Sequence, residues 1–274
     1  MGGPNRNKWF NLRRLAWDKP SPVLTQTEGS SCLIHPDLDR ACNLQELRRI
    51  CTFPDEFQLF GPYRDGKRRL GNCVPPRFAQ AIAETVRDGV LGKREFTYVS
   101  TFAGCGGSSL GYKWAGGRGL LAIEFDANAA ATYRANFPET PVLERDIRTV
   151  MAEEVLELTG LKVGELDILD GSPPCQGFST AGKRKMSDPR NDLSYEFARL
   201  VDDLQPKAFV MENVSGLVKG KMRYLFRDIM TRLKATGYAV RCKLLNAMYF
   251  NVPQSRERLI WIGARPDLRV ITHD

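Results

Sequence analysis

The first 20 residues show no hydrophobic period; they are basic, aromatic and broken by prolines, which predicts a surface arm. From Leu44 the segment LQELRRICTF carries apolar residues near i, i+3, i+4 spacing and stops before Pro54, as a short helix does. Residues 61–76, GPYRDGKRRLGNCVPP, read as a basic loop whose two final prolines open the next helix. That helix, FAQAIAETVRDGVL, places Phe78, Ile82 and Val86 on one face. From residue 95 the pattern changes to strands alternating with helices. Phe96 to Phe102 predicts a buried strand, followed by a glycine-rich turn (AGCGGSSLGY) and a helix. Gly119 to Phe125 predicts a second strand, DANAAATYRANF a helix and VLER a further strand. ELDILDGSPPC reads as a strand running into a turn, with a polar, flexible stretch after it to about Asp192. Next come a helix (LSYEFARLVDDLQ), a buried strand (KAFVMENV) and a helix with a glycine stop (YLFRDIMTRLKATG). The strands YAVRCKLLNA and RERLIWIGAR close the pattern. Repeated βα units of this length predict a doubly wound, mixed, mainly parallel sheet.

Composition narrows the partners. The 274 residues are enough for one large α/β domain, and the formal net charge of +8 favours a polyanion such as nucleic acid. No apolar run approaches the roughly 20 residues of a membrane span, and MGGPNRNKWFNLRR lacks the apolar region of a secretory signal, so a cytoplasmic protein is expected. The seven cysteines (Cys32, Cys42, Cys51, Cys73, Cys105, Cys175 and Cys242) are scattered without a C-x-x-C pair, which argues against a disulfide framework and a metal site. With only His35 and His273 available, a Cys-His hydrolase has few candidates for its base.

Four places carry candidate chemistry. The turn Phe102-Ala103-Gly104-Cys105-Gly106-Gly107 follows a strand, and its glycines let the backbone approach a ligand while a helix N-terminus exposes amides. Glu124, 20 residues beyond Gly104, ends the second strand, where a carboxylate can grip ribose hydroxyls. The competing reading is a tight turn beside a solvated glutamate. Asp146 is in the right topological order to accept from an adenine amino group, although alone it reads first as a helix N-cap for the following segment. Cys175, in Gly171-Ser172-Pro173-Pro174-Cys175-Gln176-Gly177-Phe178-Ser179, sits just past a strand at the ligand-binding edge of such a sheet. Pro-Pro before it and Gln-Gly after it make a core cysteine a poor reading. Glu212, in Met211-Glu212-Asn213-Val214, ends a neighbouring strand. Finally, Gln254, Arg256 and Arg258 alternate onto one face of an extended segment, either for a ligand or as a charged edge strand.

FAGCGG, GSPPCQGFS, MENV and QSRER, in this order, resemble the DNA (cytosine-5)-methyltransferases over nearly the whole chain. The resemblance implies a Rossmann-like fold of the S-adenosylmethionine-dependent type, with Phe102, Ala103, Gly104, Gly106, Gly107 and Pro173 around S-adenosylmethionine, Glu124 on its ribose and Asp146 on its adenine. It implies Cys175 as nucleophile, Glu212 on the base's N3 and amino edge, and Arg258, with Arg256, on its carbonyl side. Gln176, Ser179 and Gln254 would face double-stranded DNA. Lys183, Arg184 and Arg190, in the segment STAGKRKMSDPRND, would pair with phosphates as a lid over a flipped base.

The order departs from the family's. RRLAWDKPSPVLTQ and RRLGNCVPPRFAQAIA resemble motifs that usually follow QSRER but here precede the cofactor turn, so the chain reads as circularly permuted. Residues 1–94 then form the permuted segment and 95–274 the catalytic core, and Asn72 and Val74 complete the cofactor pocket. The variable recognition region usually lies between these landmarks, which here fall at the two ends with 12 and 16 residues beyond them. A target-recognition domain is therefore expected to be absent, with a second chain as one possible source. The implied reaction is that of a prokaryotic or phage restriction-modification methylase. The alternatives are a tRNA cytosine-5 methyltransferase, which shares the motifs, and a non-catalytic DNA-binding subunit, which would be expected to have lost some of Cys175, Glu212, Arg256 and Arg258.

Overall fold

The computed structural model describes residues 12–25, 32–174 and 193–268. Two short strands, β1 (Leu12–Arg14) and β2 (Cys32–Ile34), pair in parallel as a separate ribbon. Helices α1 (Leu44–Ile50), α2 (Tyr63–Asn72) and α3 (Pro76–Val86) follow. The alternation then runs β3 (Phe96–Thr101), α4 (Gly107–Trp114), β4 (Gly117–Ile123), α5 (Ala127–Asn136), β5 (Val142–Leu143) and α6 (Ala152–Thr159). It continues with β6 (Ile168–Gly171), α7 (Leu193–Leu204), β7 (Ala208–Val214), α8 (Arg223–Ala235), β8 (Ala239–Asn246) and β9 (Glu257–Ala264).

Seven strands form one sheet in the order β5-β4-β3-β6-β7-β9-β8, parallel except that β9 runs antiparallel to both its neighbours. The strand order reverses between β3 and β6, and a crevice opens at the carboxyl ends of strands at such a point. Helices cover both faces, which is why the central strands read as nearly unbroken apolar runs. One core packs Val99, Leu169, Phe209 and Trp261 against α7 and α8. A second packs Tyr98, Ile168 and Val210 against Phe78 of α3 and Tyr112 of α4. A third joins Leu47, Phe53 and Leu70 of the amino-terminal segment to Ala103, Cys105 and Phe137 beside the glycine turn.

The expected loop at 61–76 is instead mostly helical, as α2. Its glycines each cost a helix roughly 1 kcal/mol, but a side chain at Gly66 would lie 2.8 Å from a Leu44 methyl, so the glycine lets α1 and α2 close together. Tertiary packing overrides propensity here. Three further elements were not expected: β1, inside the predicted arm, β2 and α6. The helix predicted to run through Leu91 does so, but its last five residues wind as a π-turn closed by Gly92 at φ +77°.

Two residues of the QSRER segment are buried against the amino-terminal segment. Ser21 donates to the Pro253 carbonyl at 2.9 Å and accepts from the Ser255 amide at 2.8 Å, which seats the amino-terminal segment on the approach to β9. Gln254 is fully buried with its amide on the Cys51 sulfur at 3.6 Å, outside the lining of the cleft. Arg256 is 1% exposed and donates to the Leu24 and Gly71 carbonyls at 3.4 and 3.0 Å, which makes it a brace between the two segments. Arg256→Ala is expected to cost about 3 kcal/mol, from the cavity and from two carbonyls left without a donor. Urea unfolding followed by tryptophan fluorescence checks this, and a loss under about 0.5 kcal/mol, the scale of ordinary surface changes, would contradict the bracing role.

Candidate active site

A cleft of about 590 Å³ lies at the carboxyl ends of the central strands. One end is built by the turn between β3 and α4. Phe102, Gly104 and Gly106 have positive φ of 53°, 56° and 91°, and the turn is tied by Ala103 N–H to the Ile123 carbonyl at 3.1 Å. A side chain at Gly106 would come within 2.3 Å of the Phe137 ring, and one at Gly107 within 2.3 Å of the Val74 carbonyl. The chain passes where only backbone fits.

Glu124, at the end of β4, accepts from the Gly104 amide at 2.7 Å and from the Asp126 amide at 2.8 Å. Burial pushes its carboxyl above the usual carboxylate range, and those two amides oppose the shift. Asp126 caps α5 through the Asn128 and Ala129 amides, both at 3.0 Å, and is paired with Arg69 of α2. Asp146 takes the capping position that one of its readings gave it, and its place also borders the cleft. It caps the turn Ile147–Thr149 through the Arg148 amide at 3.0 Å, and it lines the cleft. The Arg148 guanidinium, 2.5 Å away, holds its carboxyl below the usual range. Asn72 and Val74, at the junction of α2 and α3, line the same wall, as do Phe102, Ala103, Gly104 and Gly107. Gly106 supports the turn from behind.

The other end is built by β6, β7 and β9. Glu212 and Arg258 are brought side by side by the antiparallel register, in which Val214 faces Arg258 and Glu212 faces Ile260. Arg258 Nε lies 2.5 Å from Glu212 Oε1. The N–H does not point along that line, so the contact is an ion pair more than an aligned hydrogen bond. Burial, with Arg256 nearby, lowers the Arg258 guanidinium to about 10, against the pull of Glu212. Glu212 is 9% exposed. A carboxylate so buried needs a charged or hydrogen-bonding partner. Pro173 and Pro174 line the cleft between the two ends, and Asn213 donates to the Pro173 carbonyl at 3.2 Å.

Cys175, Gln176, Ser179, Lys183, Arg184 and Arg190, with the predicted lid, lie outside the described residues. The structure brings Phe102, Gly104, Glu124, Asp146, Pro173, Asn72, Val74, Glu212 and Arg258 to one cleft, and it removes Gln254 and Arg256 from it. Sequence reasoning missed Arg69, Asn213 and Asp170. The neighbouring Asn in Glu-Asn-Val was a usable signal; a single arginine in a basic run was not. No group of metal-binding side chains occurs among the described residues, and no helix there is long and apolar enough to cross a membrane.

The single reversed strand β9 between β7 and β8, the glycine turn and the acidic end of β4 define a Rossmann-like domain of the S-adenosylmethionine-dependent methyltransferase class. A solved structure described as a DNA modification methyltransferase encoded within a prophage (E. coli) superposes with a TM-score of 0.55 at 31% identity, over 62% of this chain and 47% of that one. The family model for the C-5 cytosine-specific DNA methylases matches residues 5–88 and 96–273, and the chain belongs to that family. It is 43% identical over 172 residues to the type II methyltransferase M1.HphI of Haemophilus parahaemolyticus, covering 62% of this chain and 46% of that protein. With the type II methyltransferase M.AquIA of Picosynechococcus sp. it shares 42% identity over 176 residues, covering 61% of this chain and 71% of the relative. The chain spans about half the length of most curated relatives it matches.

Proposed function

We propose that this chain transfers the methyl group of S-adenosylmethionine to carbon 5 of cytosine in DNA, with Cys175 as covalent nucleophile. The observation that carries the reading is the pairing of two different ends in one cleft. A backbone-lined turn with Glu124 suits a nucleoside, and the Glu212–Arg258 pair suits the edge of a base. The residues fit the cofactor. The turn leaves room for it where side chains are excluded, Glu124 and Asp146 supply carboxylate acceptors, and Asn72 and Val74 close the wall. When bound, S-adenosylmethionine supplies an electrophilic methyl group on a positively charged sulfur.

Carbon 5 of cytosine is a weak nucleophile until something adds at carbon 6. The Cys175 thiolate makes that bond, and Glu212 shares a proton with N3 to accommodate the electron pair displaced into the ring. Arg258 donates to the base's carbonyl oxygen. Cytosine presents an amino donor beside N3 and a carbonyl acceptor, and the cleft offers a carboxylate beside a guanidinium in the matching order. Carbon 5 so activated would accept the methyl group, and loss of the carbon 5 proton to water acting as base would restore the ring and expel the Cys175 thiolate. A duplex must flip the base to reach this site, at a cost of a few kcal/mol. The net charge of +8 supports the phosphate contacts this needs. We also propose that the chain is circularly permuted, in support of which the family model matches two pieces that meet between α3 and β3.

The test is transfer of labelled methyl from S-adenosylmethionine by the full chain to mixed-sequence duplex DNA and, in parallel, to tRNA. Label on cytosine carbon 5 of DNA is the expected result. Label confined to tRNA would overturn the substrate, and absence of cofactor binding would overturn the reading as a whole.

A further inference from the structure

We propose that Asp170 is a positioning residue that sets the shape of the cofactor turn by holding both of its ends; this rests on the cofactor reading above. Asp170 lies on β6, is 4% exposed, and has no oppositely charged partner among the bonds to its carboxylate. One oxygen accepts from Ser100 Oγ at 3.1 Å and from Ser108 Oγ at 2.7 Å; the other accepts from Tyr112 Oη at 3.0 Å. Ser100 precedes Phe102 by two residues, and Ser108 follows Gly107 directly. The turn therefore leaves β3 and enters α4 through two hydroxyls that meet on a single oxygen.

The placement is expensive enough to need a reason. A buried carboxylate in a central strand costs several kcal/mol before its hydrogen bonds are counted, and an apolar residue would sit there at no such cost. Even with three hydroxyl donors, burial pushes this carboxyl up to about 6. What the carboxylate provides is definition. Phe102 is held at φ +53°, a conformation costing a side-chain-bearing residue about 1–3 kcal/mol that persists only where the surroundings over-determine it. Fixing both ends of a six-residue turn supplies that determination. The Asp170 carbonyl also accepts from Thr101 Oγ1 at 2.9 Å, and Pro173 and Pro174 follow three and four residues later in the cleft wall. The same residue thus fixes the level of β6, which leads to the base end of the cleft, relative to the turn at the cofactor end.

The dissociation constant of S-adenosylhomocysteine from the full chain, measured by calorimetry beside the melting temperature, tests this. Asp170→Asn keeps the shape and removes the acceptor charge, and Ser100→Ala removes one pin whose side chain is buried away from the ligand. Each is expected to raise the dissociation constant about tenfold, which corresponds to about 1.4 kcal/mol. Tyr133→Phe is the comparison, because its hydroxyl bonds Ser109 Oγ at 2.9 Å in the same core and does not bond Asp170. It is expected to change the constant less than twofold even where it lowers the melting temperature as far. Unchanged affinity in both Asp170→Asn and Ser100→Ala overturns the proposal, as does an equal loss in Tyr133→Phe. Should Asp170→Asn fail to fold, Ser100→Ala decides. Failure of the wild-type chain to bind is a different result and overturns the cofactor reading itself.

Discussion

Exchange of Cys175 for alanine is expected to abolish methyl transfer, a loss on the order of 10⁴-fold or more, while S-adenosylhomocysteine still binds with its wild-type constant. Cys175 directly follows Pro173-Pro174 in the sequence and is the strongest nucleophile there, and without addition at carbon 6 the ring carbon cannot attack the methyl group. The groups expected to hold the cofactor, Glu124, Asp146 and the glycine turn, belong to other segments of the cleft. Removing a sulfur should leave them in place. Single-turnover transfer and calorimetric binding on the same preparation separate the two effects. Turnover within tenfold of wild type would rule out the covalent route, and lost binding would make Cys175 part of the cofactor site instead.

Glu212→Gln carries the second-largest effect, a fall of roughly 10²–10⁴-fold in the rate of the chemical step, the usual worth of a positioned acid–base group. Glutamine fills the same space but cannot share a proton with N3, and its amide presents a donor where the base presents one too. It also leaves Arg258 without its counter-ion in a buried site. Arg258 stays charged near neutral pH, since its guanidinium is lowered only to about 10. A buried charge that loses its partner is destabilising, so the melting temperature should fall as well. The rate must therefore be measured well below that temperature, and a loss under tenfold there would make Glu212 a structural partner of Arg258 and nothing more.

How legible these features were depended on how local their cause is. The glycine turn, Glu124 and the strand-end positions of Glu212 and Pro173 follow from patterns within a few residues of each, and all reach the cleft as read. Helix α2 did not show, because its glycines argue against a helix and the reason they are tolerated, Leu44 against Gly66, lies 22 positions away. The burial of Gln254 and Arg256 was not legible for a similar reason. Their alternation with Arg258 was seen, but their partners at Cys51, Leu24 and Gly71 are near the other end of the sequence. Asp170 sits inside an apolar run where a charge looks like an exception, and only the convergence of Ser100, Ser108 and Tyr112 explains it.

The bonds from Arg256 to the Leu24 and Gly71 carbonyls span 232 and 185 positions of chain. A ribosome delivers α1 and α2 long before Arg256. Until that arginine emerges, α1 and α2 lack the brace, and the wall containing Asn72 and Val74 waits for it. Contacts of such separation form slowly, because the loop must close before they contribute anything. The pocket for the cofactor is thus completed late in folding, once these distant segments have met, and the ligand can reward only a chain in which they have.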